Sequence, residues 1–194
     1  MQPPEQSEII NRLKLIEEMM AEGRRNTQRW GWVFLLWGIG PLIAMFWETH
    51  WPHSPLAWPV VLAACTILNG VLITIRKRTG EGRTITMRSV GAVWASAGLT
   101  VLLVALGSAI SGALELRSMS VVLFALVAVA HSASSIILRW PAQFFAAVVW
   151  WAACLAALRL PISRLHLLSM ITLFVGNVAF GSWLTYREWS KQDE

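Results

Sequence analysis

The chain has 194 residues, is 56% hydrophobic and 14% charged, and has a mean hydropathy of +0.55, more apolar surface than a soluble core of this size needs. The net charge of +5 does not point to nucleic acid, because the basic residues flank apolar runs, where membrane topology explains them better. Cys65 and Cys154 both lie inside apolar runs and read as small packing residues, giving neither a disulfide framework nor a cysteine-based metal site.

The first ten residues, MQPPEQSEII, lack the basic and short apolar regions of a cleavable signal, so the first membrane helix is expected to act as the insertion signal. Residues 5–22 read as an amphipathic helix. Ile9, Leu13, Ile16 and Met20 are spaced 4, 3, 4, the repeat of a coiled-coil seam, and Ile10 and Met19 widen the stripe. Gly23 is expected to end the helix, and Arg24, Arg25 and Arg29 follow next to anionic head groups. The helix itself holds five Glu against Arg12 and Lys14, whereas a helix lying on anionic lipid is usually basic. It suits another helix, either a protein partner or a second copy, or it folds back on the basic loop 76–88.

A bilayer core about 30 Å thick takes about 20 apolar residues of helix. Six segments qualify: residues 30–47, 56–75, 89–110, 119–138, 141–158 and 165–186. All 16 Lys and Arg and all 11 Asp and Glu fall outside them, a partition that a soluble helical protein would not keep. In the first span, Pro41 beside Gly38 and Gly40 predicts a kink. Gly91, Ala95 and Gly98 in the third span, and Gly176 and Gly181 in the sixth, predict close helix packing, inside the bundle first and at a dimer interface as the alternative. Pro141 stands in the first turn of the fifth span, where its missing N–H costs little.

Thirteen basic residues lie in the N-tail, second loop, fourth loop and C-tail, and three (Arg117, Arg159, Arg164) lie in the other connections. The positive-inside rule therefore predicts both termini in the cytoplasm, in a cell membrane. Trp30, Trp32, Trp140, Trp183 and Trp189 gather near one predicted interface, and Trp47, Trp51 and Trp58 near the other. Trp37, Trp150 and Trp151 lie deeper.

Polar residues inside the spans are few. Counting inward, Asn69 is 13 residues past Leu56, His131 is 12 past Met119, and Asn177 is 12 past Leu165. At 1.5 Å per residue all three sit roughly 18–20 Å in, just beyond the midplane. Ser96 and Thr100 fall near that depth, and Ser134 and Ser135 follow His131 by one turn. Such a layer reads as interhelical clamps, with His131 satisfied by a serine, or as a midplane site for a small solute or lipid.

Other chemistry finds little support. Glu48, His50, His53 and His166 are metal-ligand types, but their spacing matches no tight template. His131 with Ser134 or Ser135 supplies the residue types of a serine hydrolase, but neighbours on one helix rarely take the required geometry and no Gly-x-Ser-x-Gly elbow is present. A lone deep histidine cannot give paired haem ligation, and no phosphate loop or dinucleotide fingerprint is present.

The expected architecture is all-α: an amphipathic pre-helix and basic segment over residues 1–29, a six-helix transmembrane bundle over 30–186, and a short tail over 187–194. The expected function is that of a non-enzymatic regulatory or interaction subunit acting through the N-terminal helix, with neither cofactor nor metal. A carrier or binder of a small solute or lipid built on the midplane layer is the alternative.

Overall fold

The structure, a computed structural model, describes residues 4–28, 31–51, 56–78, 85–111 and 115–190. It is all-α, with no strand among the described residues. In chain order the helices are α1 (Pro4–Gln28), α2 (Gly31–His50), α3 (Ala57–Arg78), α4 (Ile85–Ser111), α5 (Leu116–Leu138), α6 (Pro141–Arg159), α7 (Ile162–Leu173) and α8 (Phe180–Trp189). A π-helical stretch, Phe174–Ala179, joins α7 to α8, so that Ile162–Arg187 forms one membrane-length element. With α2 to α6 this makes six elements, among the described residues, long and apolar enough to cross a bilayer. The chain is an integral membrane protein.

Several boundaries differ from expectation. Trp30, expected to open the first span, lies outside the described residues, and α2 runs on to His50. The Glu48–His50 stretch is thus the end of a helix, and Pro41 lies inside α2 without terminating it. Gly23 does not end α1 either, since the helix continues to Gln28. One glycine costs a helix only about 1 kcal/mol, too little to force a stop. α5 begins at Leu116, ahead of the expected 119, and so includes Arg117, whose Nη1 donates to the Ala157 carbonyl near the end of α6 at 2.7 Å.

α5 and α6 form a tight antiparallel hairpin. The turn places Arg139 in the left-handed region at φ 45°, and the Trp140 N–H returns to the Ser135 carbonyl at 2.9 Å. The Ser135 hydroxyl donates to the Trp140 carbonyl at 3.1 Å, so this serine closes the hairpin. α7 packs against the hairpin through Leu165, which meets Phe124, Trp150 and Ala153 in one apolar cluster. Trp150 is buried because Gly176 leaves it room: a Cβ there would stand 2.6 Å from the indole nitrogen. The deep tryptophan and the glycine of the sixth span are therefore one packing unit.

α2 lies against this assembly through glycine contacts. A Cβ on Gly181 would meet the Gly31 carbonyl at 2.8 Å and the Leu35 nitrogen at 2.9 Å, so α2 and α8 touch backbone to backbone. α3 packs on α2 through Val61 and Cys65, beside Ala44. α4 packs on α5, with Thr86 and Val90 as its buried residues among those described. Its small-residue stripe does not pack internally as expected. A Cβ on Gly91 or Gly98 would meet nothing within 4 Å, and Ala95 is exposed. Small side chains permit close approach, but they create no contact where no neighbouring helix comes near.

Candidate functional site

No hydrogen bond joins the midplane polar residues Asn69, His131 and Asn177 among the described residues. Asn69 follows Val61 and Cys65 at four-residue spacing on the face of α3 that meets α2. Asn177 lies on the π-helical stretch, and His131 lies on α5. α3 packs mainly on α2, which stands between Asn69 and the rest of the bundle. Equal depth along parallel helices fixes height alone; the face each residue occupies decides whether they meet.

Asn177 has a specific task. Pro41 lacks an N–H, so the Trp37 carbonyl one turn earlier has no helical donor. The Asn177 side-chain amide donates to that carbonyl at 3.3 Å. The π-helical stretch inserts an extra residue into the turn and re-aims those that follow. Gly38 allows the approach: a Cβ there would stand 2.8 Å from the Asn177 Cβ.

His131, itself fully buried, is the centre of a second cluster. Its ring is stacked on Phe34 of α2 at 5.5 Å and stands edge-on to Trp94 of α4 at 4.9 Å and to Phe180 of α8 at 6.0 Å. Its polar contact is Gln143 of α6, whose side-chain nitrogen lies 3.4 Å from Nδ1. With the amide donating to Nδ1, the ring proton resides on Nε2. His131 and Gln143 both have zero exposure. His131 Nε2 and Gln143 Oε1 have no hydrogen-bond partner among the described residues. One histidine thus joins α2, α4, α5, α6 and α8.

The expected serine partner of His131 is replaced by Gln143. Ser134 instead accepts from the Trp94 indole N–H at 3.1 Å, and Ser135 is occupied at the hairpin turn. Gln143 gives no sequence signal of this role, because it is the third residue of its helix, near the expected membrane boundary where a polar residue is ordinary. Trp94, Phe34 and Phe180 were hidden among many apolar residues. Only the four-residue spacing of Val90 and Trp94, both on the inward face of α4, hinted at a role. The arrangement is that of an uncharged clamp with an aromatic jacket.

At the opposite end of α2, the metal-ligand types separate. Glu48 accepts from the Trp58 indole at 3.0 Å, the His50 Nδ1 lies 2.9 Å from the Phe46 carbonyl, and His166 Nε2 lies 3.4 Å from the Thr49 hydroxyl. His53 lies outside the described residues. Two shallow grooves mark the flanks of the bundle, of about 530 and 380 Å³. The larger runs between Ile39, Ile43 and Phe46 of α2 and Met170 and Ile171 of α7; the smaller lies between α6 and α8. Their walls are apolar and open sideways, the form that lipid chains fill.

The candidate interaction seam lies apart from these features. Ile9, Leu13 and Ile16 of α1 are each at least half exposed, and Met20 is partly covered. α1 touches α4, α5 and α8, and its side chains turn from exposed to partly buried at Met19. The helix is therefore anchored toward its C-terminal part, while the first three seam residues remain uncovered.

Comparison with protein-family models, with curated proteins and with solved structures found no match to this chain.

Proposed function

We propose that this membrane protein is a non-enzymatic interaction subunit that engages other protein through α1. One observation carries the reading: Ile9, Leu13 and Ile16 form a heptad-spaced apolar stripe that the protein's own bundle leaves uncovered. An unpaired amphipathic helix retains its apolar face at a cost that a partner helix removes. The six-helix bundle, in this reading, holds the helix at one membrane surface.

The distribution of basic residues supports placing α1 and both termini on the cytoplasmic side of a cell membrane. The carrier alternative receives less support. Asn69, His131 and Asn177 are not joined by hydrogen bonds among the described residues, His131 is flanked by aromatic rings, and the two grooves are apolar.

Deletion of residues 1–23 from the full-length protein tests the proposal. The expected result is a loss of co-purifying protein or a change in oligomeric state, with the bundle still folded. If the truncated protein keeps the same partners and the same mass in detergent, the interaction role is wrong.

A further inference from the structure

The uncovered seam carries more information than the presence of a partner; its register and charges describe one. We propose that α1 pairs in parallel and in register with α1 of other copies of this chain. This rests on the interaction role assigned to α1 above and specifies the partner.

The 4, 3, 4 spacing places Ile9 and Ile16 at heptad positions d and Leu13 and Met20 at positions a. Position g is then Arg12, and position e of the following heptad is Glu17. In a parallel coil, g of one strand faces the following e of its neighbour, so Arg12 of one copy meets Glu17 of the next, opposite in charge. In the single chain, Arg12 pairs with Glu8 at 2.5 Å, with side chains 76% and 63% exposed. An exposed pair of this kind is weak and is readily exchanged.

Leucine at a with isoleucine at d disposes a parallel coil toward more than two strands. Ile10 at e and Met19 at g widen the apolar face in the same sense. Membrane topology supplies the parallel direction: copies inserted the same way present α1 on one side with one polarity. A coil this short is marginal alone. Confinement in the bilayer raises the effective concentration of the helices and offsets that weakness.

The distinguishing feature is position. Leu13 and Leu15 are the same residue type, and each is 57% exposed. They differ in that Leu13 is at a, inside the seam, and Leu15 is at c, outside it. A generic sticky helix would treat them alike.

The experiment measures the mass of the full-length protein in detergent and in lipid nanodiscs. The expected result is an oligomer that Leu13→Asp or Ile16→Asp converts to monomer and Leu15→Asp leaves intact. Arg12→Glu and Glu17→Arg each weaken association, and the double reversal restores it. A second readout is disulfide trapping between copies, expected for Ile16→Cys and not for Leu15→Cys; the native Cys65 and Cys154 are buried in the bundle. A monomeric wild type overturns the proposal, as does an oligomer that Leu13→Asp and Leu15→Asp affect equally. If deletion of residues 1–23 removes a different co-purifying protein from a monomer, self-association fails and the interaction role stands. If deletion changes neither mass nor partners, both fail.

Discussion

Asn177 replaces the hydrogen-bond donor that Pro41 lacks. The proline leaves the Trp37 carbonyl without its helical N–H, and the asparagine amide reaches it at 3.3 Å from a helix far along the chain. In hydrocarbon, an unsatisfied carbonyl cannot turn to water. A proline in the first span and a polar residue in the sixth, separate features in the sequence, are two halves of one contact.

That pairing predicts coupling. Asn177→Leu is expected to destabilise the bundle by roughly 0.6–2 kcal/mol, the range of interhelical hydrogen bonds in membranes. In a Pro41→Ala background, the alanine N–H can bond the Trp37 carbonyl, and the same Asn177→Leu change should cost less. Unfolding of the four proteins of this double-mutant cycle in detergent gives the coupling directly. Additive effects would mean that Asn177 does not compensate for the proline.

The His131–Gln143 contact predicts an asymmetry between single and double substitutions. Gln143→Leu leaves a buried imidazole without its polar partner, at an expected cost of about 1–3 kcal/mol. His131→Phe similarly strands the Gln143 amide. The double variant His131→Phe, Gln143→Leu removes both polar groups and keeps the aromatic stacking with Phe34, so it should be more stable than the less stable single variant. Thermal denaturation followed by circular dichroism ranks the three, and a double variant worse than either single one refutes the clamp.

Glycines of similar appearance should respond in opposite ways. Gly176→Ala drives a methyl group against Trp150 and is expected to destabilise by about 1–3 kcal/mol. Gly91→Ala and Gly98→Ala meet nothing within 4 Å in the single chain and should be neutral or stabilising, by up to about 1 kcal/mol. Thermal midpoints of the purified variants check both signs. A large loss at Gly98 would show that another surface covers α4.

The proposed orientation is open to direct labelling. Ser163→Cys, at the start of α7, is expected to react with a membrane-impermeant maleimide on intact cells, and Ser190→Cys, just after α8, only after the membrane is opened. Both serines are exposed, so burial does not confound the comparison. The reverse labelling pattern would invert the topology and place α1 outside.

Much of the architecture was legible before any tertiary contact was known, for a reason particular to lipid. Charge is so costly in hydrocarbon that its exclusion marks the six spans of this chain to within a few residues. The heptad spacing of Ile9, Leu13 and Ile16 was equally readable, because helix periodicity alone puts those residues on one face. Boundaries slipped at Arg117, whose guanidinium found a carbonyl, and at Gly23, where a single glycine was too weak a stop.

Which residues meet was settled by the fold alone. Depth can be counted along a sequence, but rotation about each helix axis and the order of helices around the bundle depend on packing. Those two quantities separated Asn69 from His131, gave His131 to Gln143 in place of a serine, sent Asn177 to the carbonyl left by Pro41, and turned Gly91 and Gly98 away from the core. Hydrophobic patterning supplies no such angular information in a span that is apolar all round, because lipid and core reward the same side chains. Shape complementarity decides instead, as in the space that Gly176 leaves for Trp150.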